Sequence, residues 1–226
     1  MGLPLHLALT AAEFTTCSPL PDRPAWMACH FSPYGTGLCN LPPDLPDAAM
    51  VILNDRIPPA THDPEYILDQ LAQINCSCIL LDFQRPDVPE TADLVRVIVE
   101  SESRPVGVTP QYGSGLSCPL FLPPVPMDIP IKDYLAPWHG REIWLEAATD
   151  RLCYTVTAQG SVPGPLSQIP VQGFPEEPLF CHHRVEVFAD RAEFALWRTR
   201  EDLDALLDAA APFGVTKAIG LWQELG

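Results

Sequence analysis

Apolar residues fall into two patterns along this chain. The first is a set of short continuous runs that stop abruptly at polar side chains. Residues 49–53 end in Asn54, Asp55 and Arg56, and Cys78-Ile79-Leu80-Leu81 runs into Asp82-Phe83-Gln84-Arg85-Pro86. Residues 26–31, 105–109, 119–122, 142–145 and 217–222 read the same way. Unbroken apolar runs of this length predict parallel strands buried on both faces. The second pattern is helical. Asp63 followed by Pro64 marks a helix start, and Ile67, Leu68, Leu71 and Ile74 form its stripe. A second helix spans residues 89–99, with Leu94, Val95, Val97 and Ile98 inward. A third, over 200–211, has Leu203, Leu206, Leu207 and Ala210 on one face and a capping box from Thr199 and Asp202. Strands alternating with helices predict an α/β fold with a parallel sheet.

Some connections are too short for this rhythm. No helix pattern lies between residues 31 and 48, and the loop through Ser117 leaves no room for one. A single helical turn is expected over 131–138. The apolar N-terminal segment 1–12 reads as an edge strand, which makes 26–31 the first strand of the main sheet. After Glu146 the period changes. Residues 152–157, 184–188 and 193–197 alternate, as half-exposed antiparallel strands do. The Pro-rich stretch 161–178 reads as a mobile loop. The whole is expected to be one domain, residues 1–226, with a β-rich insertion at about 150–198.

Composition narrows the function. The chain has 226 residues, 47% of them hydrophobic, enough for a packed core. A formal net charge of −16 argues against nucleic acid, which needs clustered Lys and Arg, and against anionic membranes and substrates. The eight cysteines show no CxxC pair or zinc-like spacing, so they read as reduced, mostly buried thiols. Cys181 with His182 and His183 is a poor metal site, because neighbours on a strand face opposite ways. No basic targeting segment or membrane-length apolar run occurs, so a cytoplasmic location is expected. No GxGxxG, P-loop, GxSxG or HExxH pattern is present, and neither cofactor nor metal is expected.

Candidate chemistry gathers at the C-terminal ends of the apolar strands: Tyr34; Asn54 and Asp55; Asp82 and Gln84; Gln111 and Tyr112; Glu146; and Trp222, Gln223 and Glu224. Closed parallel barrels build their sites on that face. Carboxylates and amides beside aromatic rings suit a sugar, whose hydroxyls hydrogen-bond and whose apolar face stacks. A small-molecule or oligosaccharide ligand is the expected partner.

The strand Leu80-Leu81-Asp82-Phe83-Gln84 resembles the signature strand of family 18 glycoside hydrolases, the chitinase-like barrels, which ends in Asp-x-Glu. The final strand, with Trp222 at its end, is similar to the last strand of those barrels, where a Trp floors the sugar subsite. The resemblance implies a degenerate (β/α)8 TIM-type barrel with missing helices and an antiparallel β insertion, and it implies carbohydrate. It also implies a mechanism from which this chain departs. In the family the Glu protonates the leaving oxygen and the Asp orients the acetamido group. Here Asp82 keeps the Asp position, but Gln84 stands where the Glu would be. An amide is no general acid, and losing one typically costs ~10²–10⁴-fold. Hydrolysis by that route is expected to be weak or lost. Alternatives are an active hydrolase with another acid, such as Glu146 or an Asp55–Asp82 pair, and a non-catalytic structural or interaction module presenting residues 150–198.

Overall fold

The computed structural model describes residues 2–35, 37–58, 63–85, 88–164 and 173–226. Eight parallel strands close into a barrel: β1 (Leu5–Leu9), β2 (Pro24–Phe31), β4 (Met50–Asn54), β5 (Cys78–Asp82), β6 (Val106–Val108), β7 (Leu120–Leu122), β8 (Ile143–Ala147) and β14 (Val215–Leu221). A two-residue strand β3 (Leu38–Cys39) hangs antiparallel on β2. The first strand is not an edge. Its residues Leu5 to Ala8 pair with β14 and Leu7 to Leu9 pair with β2, so the N-terminal segment is the stave that closes the ring. The alternating character of residues 1–12 suggested an edge; the alternation instead reflects one face turned to the barrel lumen and one toward covering elements. Residues 24–31 are therefore the second stave.

The continuous apolar runs serve two cores of opposite parity. Outward residues of β4, β5 and β6 (Val51, Leu53, Ile79, Leu81, Val106 and Val108) pack against helices α2 (Pro64–Ala72) and α3 (Pro89–Ser101). On the other flank, Leu120, Leu122, Ile143, Leu145 and Val215 meet α5 (Ile131–Leu135) and α6 (Arg200–Ala210). Inward residues form the third core: Ala8, Ala25, Met50, Ile52, Cys78, Leu80, Phe121, Trp144 and Ile219. Trp144, fully buried, fills the lower barrel, and Gly107 makes room for it. A Cβ on Gly107 would lie 2.3 Å from Trp144 Cε3. The Lys217 ammonium sits 4.8 Å from the centre of the same ring. His6 is also buried on β1, and burial, with help from Arg23 and Lys217, pushes its pKa down to about 4, so the ring is neutral at ordinary pH.

The helical layer is thin. Besides α2, α3 and α6, the α-helices among the described residues are α1 (Ala11–Thr16), the one-turn α4 (Pro110–Gly113), α5 and the terminal α7 (Trp222–Leu225), all short. The loop after β6 thus does accommodate a helical turn, started by Pro110. Between β8 and α6 lies a separate five-stranded antiparallel sheet: β9 (Arg151–Thr157), β10 (Gly160–Pro163), β11 (Phe174–Glu176), β12 (Cys181–Val187) and β13 (Arg191–Trp197), in the order β10-β9-β13-β12-β11. Among the described residues it shares no ladder with the barrel, so it does not extend the barrel wall. Part of the stretch 161–178 is strand, in β10 and β11, because its backbone groups pair on the sheet edges; residues 165–172, like Pro86, lie outside the described residues. The buried Arg198 fastens sheet to barrel: its guanidinium donates to the carbonyls of Phe180 (3.0 Å) and, on the barrel side, Val125 (3.1 Å). His182 bonds Asp202 at 2.9 Å, the same carboxylate that caps α6. All eight cysteines are free. No helix among the described residues is long and apolar enough to cross a membrane.

The Gly107–Trp144 contact is testable. Gly107→Ala should lower stability by about 1–3 kcal/mol, the usual cost of overpacking a core. Combined with Trp144→Leu, which vacates that space, the two changes should be strongly non-additive in urea denaturation.

Candidate functional site

Inward residues at the C-terminal end of the barrel face an open cleft of about 750 Å³. Its floor is apolar: Ala8, Met27, Ile52, Leu80, Phe121 and Ile219. Its polar groups stand one step higher on the same strands, at the period of 2 that strand geometry dictates. Asn54 follows Ile52 on β4, Asp82 follows Leu80 on β5, and Glu146 follows Trp144 on β8. Gln84, Asp55, Arg56, His30, Asn40 and Thr10 complete the polar lining.

Asn54 and Asp55 divide the work of shaping this mouth. β2 slips register between Trp26 and Cys29, a bulge that leaves carbonyls without ladder partners. The Asn54 amide donates to Cys29 O (3.0 Å) and reaches Met27 O (3.5 Å), satisfying them. Asp55 has the opposite parity and is 4% exposed. Its carboxylate accepts the backbone N–H groups of Gln84 (3.0 Å) and Arg85 (2.8 Å), and Arg85 Nε returns a bond to the Asp55 carbonyl (2.9 Å). Asp55 therefore ties the end of β5 to the end of β4. With both oxygens so engaged, it holds the loop that presents Gln84. The Gln84 amide in turn donates to Asp82 Oδ1.

From behind, the same loop is held by α4 and the residue before it. Thr109 Oγ1 donates to the Phe83 carbonyl at 2.8 Å, Gln111 Nε2 donates to that carbonyl as well, and Tyr112 OH donates to Arg85 O at 3.1 Å. Gln111 and Tyr112 thus stand behind the loop, not among the cleft-lining residues. Tyr34 is 91% exposed at a turn tip and also lies away from the cleft. The last strand ends at Leu221, and Trp222 opens the helical turn α7, its carbonyl accepting from Gly226 N–H. Ile219 and Leu221 have the inward parity; Trp222 has the other. Its ring lines a groove beside Glu13, Cys17 and Pro19 on the outside of the barrel, and Leu221 takes the cleft position. Gln223 is exposed and, with Thr10, helps to hold the Glu13 carboxyl below its usual range. Glu224 is exposed, and its charge reaches Glu146.

Sequence reading did not single out His30, Asn40, Arg56 or the apolar floor. His30 is inward only because the bulge resets the parity of β2. Its Nε2 lies 3.1 Å from Asn40 Nδ2 and its Nδ1 2.8 Å from Phe31 O. The Phe31 carbonyl can only accept, so Nδ1 carries a proton.

The carboxylates are perturbed. Burial pushes Glu146 up to about 7, with repulsion from Asp82, Asp150 and Glu224 adding to it. Burial and the charge of Asp55 raise Asp82, against the lowering effect of its bond from Gln84. A carboxylic acid with a pKa near 7 can donate a proton or accept one at neutral pH. No group of His, Cys, Asp and Glu among the described residues is arranged to hold a metal ion.

Comparison with known proteins places this geometry in a fold. No family model matches the chain, and no curated protein matches it. Solved structures do. The C-terminal domain of a putative chitinase from Desulfitobacterium hafniense DCB-2 superposes with a TM-score of 0.55 at 11% identity, over 98% of this chain and 94% of that one. The Bacillus cereus spore cortex-lytic enzyme SleL gives 0.54 at 11% identity, over 99% and 71%. A chitinase from Chromobacterium violaceum ATCC 12472 gives 0.53 at 10% identity, over 96% and 93%. The chain has the fold of these chitinase-like barrels, in degenerate form.

The Glu146 environment makes a pH prediction. A carboxyl raised from 4.5 to about 7 on folding contributes stability that is fully present below pH 4.5 and is lost as pH rises through 7. Glu146→Gln removes that loss. Thermal melts of variant and wild type should diverge between pH 4.5 and 7 and then run parallel, the variant more stable by on the order of 3 kcal/mol at pH 8. Equal separation at all pH values would mean that Glu146 is not perturbed.

Proposed function

We propose that this protein is a glycoside hydrolase-like barrel that binds carbohydrate in the cleft at its C-terminal face, and that hydrolysis by the Asp-x-Glu route is weak or lost. The observation that carries the reading is the convergence of Asn54, Asp82, Gln84 and Glu146 over an apolar floor. Hydroxyls of a sugar would exchange bonds with the amides and carboxylates while its C–H face rests on Met27, Leu80 and Phe121. The chitinase-like fold supports the same class of ligand. Asp82 and Gln84 are the proposed hydrogen-bonding pair, and Asp55 positions Gln84. Arrest of hydrolysis is attributed to Gln84, whose amide has no acidic proton to give.

The ligand test is a thermal-shift panel of mono- and oligosaccharides. A sugar at ~100 times its dissociation constant adds roughly 2.7 kcal/mol to stability. The shift should vanish in Asp82→Ala, and a flat panel with every sugar would sink the reading. The chemical test is Gln84→Glu. Restoring a carboxyl beside Asp82 should raise turnover of a chromogenic N-acetylglucosaminide ~10²–10⁴-fold over wild type. No gain, with binding intact, would show that something other than the acid is missing.

The pKa of Glu146 favours a second reading, an active hydrolase with Glu146 as proton donor. Wild-type turnover of a glycoside that disappears in Glu146→Gln, while sugar binding persists, would establish it.

A further inference from the structure

Glu146 stands on β8 and Asp82 on β5, and both line the same cleft. Neither forms an ion pair: the salt bridges among the described residues involve other carboxylates. Glu146 makes no hydrogen bond to a described residue, and Asp82 is bonded through Oδ1 alone, to Gln84. Arg85, the nearest cation along the chain from Asp82, is spent on the carbonyls of Asp55 and Arg56. Among the described residues, the basic side chains lining the cleft are His30, held by Asn40 and the Phe31 carbonyl, and Arg56, which is exposed. Of the three carboxyl groups lining the cleft, Asp55 has both oxygens engaged, while Asp82 and Glu146 keep oxygens that no described residue bonds and have no ion-pair partner, with Asp150 and Glu224 close enough to add their field.

We infer that the cleft prefers sugars bearing a free, protonated amino group over their N-acetylated and carboxylated counterparts, with the ammonium seated against Asp82 and Glu146. The inference rests on the carbohydrate reading above and narrows it. An ammonium supplies both the missing charge and three donors for oxygens that lack protein partners. Burial first, and neighbouring like charge second, raises both carboxyls, and an ammonium between them would offset both effects. An acetamido group brings no charge to offset theirs, and a uronic acid would add a further carboxyl group. A charge-assisted hydrogen bond outweighs a neutral one by enough to set a preference of about 10-fold or more.

Isothermal titration at pH 6.5 and 0.15 M salt decides it, with glucosamine, N-acetylglucosamine and galacturonic acid oligomers of equal length. Glucosamine oligomers should bind at least 10-fold tighter than the N-acetylated ones, with the uronic acids weakest. That preference should collapse toward one in the isosteric variants Asp82→Asn and Glu146→Gln, each checked for folding by its melt. It should persist in Glu201→Gln, an equal charge change at an exposed position of α6. Equal affinity, or tighter binding of the N-acetylated series, overturns the inference and leaves the carbohydrate reading standing. A preference that survives both cleft variants also overturns it, since the net charge of −16 alone would then be attracting the cation. If no oligosaccharide binds, the carbohydrate reading fails first and this inference falls with it.

Discussion

The molecule depends on β1 pairing on both sides. Through it the parallel sheet loses both edges, and every stave has two neighbours. Ring closure is also what gives the inner parity of each strand a common interior. Without it Trp144 would have no enclosure to fill, and Asn54, Asp82 and Glu146, which belong to three staves, would not face one another. An open sheet would keep the same strand ends but spread them along a line. The backbone ladder of five N-terminal residues therefore stands upstream of the candidate chemistry, though of those residues only Ala8 lines the cleft.

Above the ring, polar side chains substitute for the missing helices. A full set of eight would brace each strand end from outside. Here Asp55 does so for the β5 loop, Asn54 for the bulge in β2, and Thr109, Gln111 and Tyr112 for the back of the Phe83–Arg85 segment. Hydrogen bonds to backbone groups are directional, so this bracing sets the position of Gln84 more tightly than apolar contact would. The same logic holds the inserted sheet, where one buried guanidinium does what a longer interface would otherwise do.

Much of this was legible in the linear pattern because burial on two faces leaves a continuous apolar run, and such runs ended where the cleft begins. Asn54, Asp82, Gln84 and Glu146 were reachable by that rule alone. Trp222 and Asp55 show its limit. Both have the opposite parity to Ile219 and Ile52: Trp222 turns to the outside of the barrel, and Asp55, though it borders the cleft, spends its carboxylate on the β5 loop. His30 was hidden for the converse reason: a bulge is an extra residue, and nothing in the composition of residues 26–31 announces it. Gln111 and Tyr112 were drawn to the site by type, yet the turn that Pro110 starts carries them behind it. The closing role of residues 5–9 depended on pairing with a strand more than 200 residues away, which no local window contains.

Trp144 has a consequence for shape. Because its ring occupies the lower lumen down to the backbone of Gly107, the lumen is filled below the Ile52–Leu80–Ile219 layer and the cleft opens above it. A long polymer cannot thread through such a vessel. On the proposed reading, such a ligand would lie across the rim or dip in a terminus. The aromatic ring that stabilises the scaffold thereby also limits which part of a chain the rim can meet.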